Sequence, residues 1–404
     1  MRFANIEGGW PGNRLALTSV WGEYLDIRSD VAAGRRFWLT LGFAIVALGL
    51  AVDIVNVDYR VGVDFHTYLA AGKVGLDDGW SHIYDQGIVA LEQKELVPYQ
   101  LAQPFLSPPT VAFITAPLAP LPYSIAFLVW ALFTFLAFAI ALVWAGSGRG
   151  LLRWIAVVGA LSTWWVMHAV DVGQVVPLVA AGAVVAWRLI REKHDVAAGL
   201  VLATILLKPN TALLVPVVLL VAGRPRAFAA WLGAATAIMG LVYSTLGIHG
   251  ITSYVEELLA PLPKGADSLT LHGALGASGT VALVLRLLIL GITLATSYRL
   301  RESPGLAIAV GIVGSLLIAP YLHGADLCLL AAAGWMVWQE RTTLPWRVAL
   351  GAAWVLASPF LYLYGRSPSL NRWPWFELAL LIALFISTWR PLTGRADLRT
   401  QAPA

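Results

Sequence analysis

The chain has 404 residues, 59% of them hydrophobic and 12% charged, with a mean hydropathy of +0.74. That balance excludes a soluble domain and places the chain in lipid. The formal net charge of +4 does not signal nucleic acid, because Lys and Arg fall between hydrophobic spans and form no basic stripe.

Residues 1–36 are mixed and polar, without the apolar core or cleavage site of a signal peptide, and read as a cytoplasmic N-terminal segment. Apolar stretches follow at 37–57, 107–145, 154–170, 172–187, 196–222, 227–246, 279–298, 305–320, 324–339, 347–365 and 374–389. A spanning helix needs roughly 20 residues, so 107–145 and 196–222 each read as one span or two short helices, and the total is about eleven to thirteen transmembrane or half-spanning helices. Backbone polar groups cannot go unpaired in lipid, so the fold class is all-α, a polytopic bundle. One membrane domain over 37–390 is expected, then a cytoplasmic tail over 391–404. Cys328, the single cysteine, lies in an apolar run and reads as a buried, inert thiol.

Basic turns set the orientation. Arg28, Arg35 and Arg36 precede the first span. Arg149 with Arg153, Arg188 with Arg191 and Lys193, Arg224 with Arg226, Arg299 with Arg301, Arg341 with Arg347, and Arg390 with Arg395 mark later turns, all assigned to the cytoplasm. The opposite face then receives 58–106, the turn around Asp171 and Gln174, the break Lys208-Pro209-Asn210, the loop 247–278, the turn Tyr321 to Asp326, and 366–373. For this parity, 107–145 must cross an odd number of times, so part of it, punctuated by Pro117, Pro120 and Pro122, is expected to be re-entrant or interfacial.

The outer loop 58–106 is long, acidic and aromatic. Within it, Thr67, Tyr68 and Ala71 share a helical face with Asp64, which predicts a short juxtamembrane helix with Asp64 at its N-terminal end. Asp64 is either a functional carboxylate or the cap of that helix. Pro209 disfavours helix through Lys208, which predicts a broken helix facing protein or a cavity; a plain outer turn with a snorkelling lysine is the alternative. Arg286 and Glu377 interrupt apolar spans and are expected to pair with each other. Arg366 and Arg372 flank the last outer turn, against the positive-inside pattern, which suits an anionic lipid partner or ordinary headgroup contact. Asp64 and His66 alternate as metal ligands sometimes do, but they point apart on a helix and no further ligand follows, so neither a metal nor another cofactor is expected to be required.

The motifs Asp64-Phe65-His66-Thr67-Tyr68, Ser107-Pro108-Pro109, Pro117 with Pro120-Leu121-Pro122, Gly173-Gln174, Leu207-Lys208-Pro209-Asn210, and His323 followed by Asp326 occur in this order along most of the chain. Together they resemble the polyprenyl-phosphate-dependent glycosyltransferases of the GT-C fold class, and within it family GT87, which includes a mycobacterial phosphatidylinositol-mannoside mannosyltransferase. The family often has an aromatic residue where Ser107 stands, and the acceptor loops show no match.

The resemblance implies an inverting transferase that moves a mannosyl group from polyprenyl-phosphate-mannose to a lipid-linked or cell-envelope glycan acceptor on the outer face of the cytoplasmic membrane. Asp64 matches the catalytic position, where one carboxylate takes the acceptor proton. Charge growing on the leaving phosphate calls for donors or cations, with candidates His323, Lys208, Arg366 and Arg372. His66, Tyr68, Gln174, Asn210 and Asp326 complete the set around the substrate, Asp326 being spaced to orient the His323 imidazole. An arabinofuranose donor is the alternative within the class. A lipid or sugar transporter is the alternative outside it, since broken helices also line transport pathways.

Overall fold

A computed structural model of the chain describes residues 14–56, 62–260, 267–358 and 373–389. The first half is built from helices Arg14–Asn56 (α1), Val63–Asp77 (α2), Gln86–Leu96 (α3), Pro109–Thr115 (α4), Tyr123–Ala145 (α5), Leu151–Leu161 (α6), Trp164–Asp171 (α7), Val176–Arg191 (α8) and Asp195–Val201 (α9). It continues with Leu214–Val221 (α10), Pro225–Leu259 (α11), Leu271–Ala274 (α12), Gly279–Arg299 (α13), Pro304–Ile318 (α14), Cys328–Glu340 (α15), Leu344–Leu356 (α16) and Trp373–Ser387 (α17). No strand occurs among the described residues, and the all-α polytopic class stands.

The surface is that of a protein in lipid. In α5 the face carrying Ala126, Phe127, Trp130, Ala131, Thr134 and Phe138 is buried, while Ile125, Leu128, Val129, Leu132, Phe133, Leu136 and Ile140 are exposed. A helix of a soluble protein would show charge on that outer face. At the other extreme, α14 is buried from Gly305 to Leu317. Small residues let its neighbours close in: a Cβ at Gly311 would stand 2.7 Å from Val218 Cγ2, and one at Gly314 2.5 Å from Thr293 Oγ1.

Four stretches are long and apolar enough to cross a membrane: Ala33–Asn56, Tyr123–Ala145, Pro225–Leu259 and Gly279–Arg299. The pair α6 and α7, bent by 48°, makes a fifth if it is counted as one span. The other elements are shorter, so many of the expected eleven to thirteen spans are half-length helices. Proline and polar breaks are the reason. Segment 107–145 splits at Pro117 to Pro122 into a short helical piece, Pro109–Leu118, and one long span. Segment 196–222 breaks at Lys208, whose φ of −152° and ψ of 73° lie outside the helical region. Segment 227–246 continues beyond its expected end. α11 kinks at Gly247, with φ 62° and ψ −175°, and runs on to Leu259, so the loop expected at 247–278 begins as helix. α1 likewise starts well before residue 37.

Two of the basic turns meet, since Arg224 Nη1 lies 3.7 Å from Asp195 Oδ1 and joins the α8–α9 turn to the α10–α11 turn. The expected Arg286–Glu377 pair is not formed. Arg286 Nη2 approaches His272 Nε2 at 3.2 Å, and neither carboxylate oxygen of Glu377 has a partner among the described residues. Arg366 and Arg372 lie outside the described residues.

Candidate active site

The segment after α1 folds back onto the bundle. α2 is buried along most of its length. Its N-terminus is met by the turn after α7, where Val172 O accepts from Asp64 N at 2.9 Å and from Phe65 N at 3.2 Å. One carbonyl thereby satisfies two amides that a helix start leaves without internal partners. The capping alternative for Asp64 therefore falls. Gly62 stands at the cap, and the Asp64 side chain makes no cap bond.

Gly173 makes this docking possible. Its φ of 76° is in the left-handed region, a Cβ there would overlap Phe65 Cβ, and its carbonyl accepts from Trp130 Nε1 at 2.8 Å. The next residue, Gln174, is thereby aimed at α2.

Gln174 is the hub of the site. Its Nε2 donates to Asp64 Oδ2 at 2.7 Å, and its Oε1 accepts from Tyr68 Oη at 2.9 Å and from Lys208 Nζ at 3.2 Å. Lys208 Nζ also stands 3.1 Å from Asp326 Oδ1, an ion pair that is buried on both sides. Asp64 and Tyr68 thus share one helical face, as their spacing predicts, and that face meets Gln174, 106 and 110 positions further along the chain.

Hydrogen bonds hold the break at Lys208 on both sides. Lys208 N donates to Ile205 O at 3.0 Å, and Thr211 Oγ1 donates to Lys208 O at 2.7 Å. Asn210 Nδ2 donates to Tyr321 O at 3.4 Å and ties this break to the turn carrying His323 and Asp326.

The electrostatics follow from the contacts. Burial raises the Asp64 carboxyl above its ordinary range, while Lys208, the Gln174 hydrogen bond and His323 favour its charged form and Asp326 opposes it. The Tyr68 hydroxyl is raised by burial and by Asp64, so it remains a donor.

Two expectations need correction. Asp326 does not orient the His323 imidazole: its Oδ2 accepts from the His323 backbone N–H at 2.9 Å, while Oδ1 faces Lys208. The spacing of three residues forms a backbone bond at the turn, which leaves the imidazole exposed. His66 is not in the cluster. It is buried on the far side of α2, with Nε2 2.6 Å from Gln93 O and its ring edge-on to Tyr123, so it holds α2 to α3.

His168 belongs to the site's surroundings and was not singled out from sequence. Its ring stacks on Trp164 at 4.5 Å beneath Gly324, next to His323. An isolated histidine in an apolar run gave no signal; only the fold places it there.

An apolar groove of about 540 Å³, lined by Phe113, Ile114, Leu200, Leu207, Ile238 and Leu241 among others, runs between α4, α9 and α11. Ile114, Leu200, Ile238 and Leu241 are exposed on the outer surface of the bundle. Leu206 and Leu207, the residues that precede Lys208 in the chain, are part of its lining.

The family model of glycosyltransferase family 87 matches residues 105–388. No curated protein and no solved structure matches the chain. The matched region contains Gln174, Lys208, Asn210, His323 and Asp326; Asp64 precedes it.

Proposed function

The chain belongs to glycosyltransferase family 87 and is a membrane glycosyltransferase, and from that premise we propose that it transfers a mannosyl group from polyprenyl-phosphate-mannose, with inversion, to a lipid-linked or cell-envelope glycan on the outer face of the cytoplasmic membrane. Membership of a transferase family decides against the transporter reading.

In the proposed reaction the acceptor hydroxyl oxygen attacks the anomeric carbon and its proton passes to Asp64. The carbon–oxygen bond to the phosphate breaks, and polyprenyl phosphate leaves. Gln174 occupies Oδ2, and no other hydrogen bond reaches this carboxylate among the described residues, so Oδ1 is the oxygen that receives the proton. Lys208 acts through Gln174 and by its charge, favouring the ionised carboxylate in a buried setting. His323, which is exposed and has Tyr321 beside it, meets the leaving phosphate in this reading. The apolar groove lined by Leu206 and Leu207 takes the isoprenoid chain, entering sideways from the lipid. Arg366 and Arg372 remain candidates for the headgroup.

One observation carries the reading: the Gln174–Asp64 hydrogen bond attaches a carboxylate that lies before the family-matched region to the polar cluster within it. The test is to incubate the purified protein, in detergent and without a sealed compartment, with labelled polyprenyl-phosphate-mannose and a glycolipid acceptor fraction. Formation of an inverted mannosyl product supports the reading. Turnover of the arabinofuranosyl donor alone would replace mannose while leaving Asp64 as the base, and turnover of neither donor would overturn the assignment of the donor class.

A further inference from the structure

A second cluster of polar side chains lies away from Asp64. His82 ends the short turn Trp80–His82, Asp85 immediately precedes α3, and His249 comes from α11, just past its kink at Gly247. One ligand atom from each lies within 4.8 Å of the others. His82 Nδ1 is 2.6 Å from Asp85 Oδ2, and His249 Nε2 is 3.1 and 3.2 Å from the two carboxylate oxygens. The two imidazole rings stand 5.3 Å apart.

The approach of these residues does not depend on their own attraction. Gly250 lies against the Ser81 backbone, where a Cβ would be 3.1 Å from Ser81 Cα and O. Tyr84 stacks on Tyr254 with centroids 4.6 Å apart, and its hydroxyl donates to Ser107 O at 2.7 Å. Packing on both sides of the cluster therefore fixes where the three side chains start. The His82 and His249 side chains are 38% and 55% exposed, which leaves a solvent-facing hemisphere open.

We propose that His82, Asp85 and His249 bind a divalent transition-metal ion of the zinc type, which clamps the first outer loop to the outer half of α11. Two imidazole nitrogens and one carboxylate oxygen form a donor set that suits zinc and is poor for magnesium or calcium, which prefer oxygen. Zinc bonds of about 2.0–2.2 Å put tetrahedral ligand atoms roughly 3.3 Å apart, a spacing between the 2.6 Å of the His82–Asp85 pair and the 4.8 Å within which all three ligand atoms lie. Water fills the remaining coordination position on the open side. The site differs from the Asp64 and His66 pair considered from sequence, and His249 lies 164 positions beyond Asp85 in the chain. It is independent of the transfer chemistry.

The test is zinc titration of the full-length, chelator-treated protein, purified in detergent through a tag free of histidine, followed by calorimetry and by thermal unfolding. One equivalent of zinc should bind in the micromolar range or tighter and raise the unfolding temperature. Binding should weaken about tenfold or more in His82→Ala and in His249→Ala, and the zinc-dependent rise should vanish. His249→Gln serves as a milder second variant that keeps a polar side chain at this exposed position. No stoichiometric binding by the wild type, or equal binding by all three variants, would overturn the site and leave a hydrogen-bonded His–Asp–His cluster only.

Discussion

Gln174 donates to Asp64 at 2.7 Å while accepting from Lys208 at 3.2 Å, so one amide couples an acid at the start of α2 to a cation at a helix break. An amide serves here because it donates on one side and accepts on the other. Gln174→Leu removes these two bonds together with the one from Tyr68 and leaves the carboxylate with less support for its charge. The acid limb of the pH–rate profile should move to higher pH, whereas a purely structural role would lower the amount of folded enzyme without moving that limb.

The same coupling sets the pH dependence of the wild type. Asp64 acts as a base only when ionised, and burial raises its carboxyl above the ordinary range near about 4. The rate should therefore fall as pH drops through a value higher than that of a free aspartate. Lys208→Met takes away the main opposing charge and should shift the limb further upward. A limb at the free-aspartate position in both proteins would exclude the proposed role for Lys208.

Lys208 and Asp326 form a buried ion pair. Breaking one side of such a pair costs about 3–5 kcal/mol, because the remaining charge is left uncompensated. Lys208→Met should be destabilised on that scale in detergent unfolding, and Lys208→Met with Asp326→Asn should recover part of the loss. Strictly additive losses would argue against the pairing.

Much of the site was legible in the sequence because its members are polar residues in apolar surroundings. Asp64, Gln174, Lys208, Asn210, His323 and Asp326 were all anomalies of that kind, and the basic turns assigned them to one face. Spacing could not assign directions. His66 sits two residues from Asp64 and turns to Gln93, and Asp326 sits three residues from His323 and bonds its backbone instead of its ring. Arg286 and Glu377 looked like a pair because both are charged in spans, but pairing depends on rotation about two helix axes, which hydropathy does not encode. His82, Asp85 and His249 gave no signal, since only the kink at Gly247 and the packing of Gly250 bring them together.

The turn at Gly173 joins fold and site. Gly173→Ala meets both a left-handed φ and the Phe65 side chain, so it should lose about 1–3 kcal/mol of stability and misplace Gln174. Residual activity of the folded fraction should fall more than its unfolding temperature alone would account for. His66→Ala should do the reverse, lowering the unfolding temperature while leaving KM for the donor unchanged.

The groove offers a test of how the donor enters. Ala203 lines it, and Ala203→Phe would fill part of its volume. KM for a long-chain polyprenyl donor should rise, with little change for a truncated donor whose chain does not reach the groove. An equal effect on both donors would place the isoprenoid chain elsewhere.

Asp64 as the base is tested most directly by single-turnover transfer from labelled polyprenyl-phosphate sugar in detergent, comparing Asp64→Asn with the wild type at matched folded concentration. Removing a general base typically costs about a hundredfold or more. The variant should show that loss with donor binding and unfolding temperature essentially kept. Transfer at the wild-type rate by the folded variant would contradict the role assigned to this carboxylate.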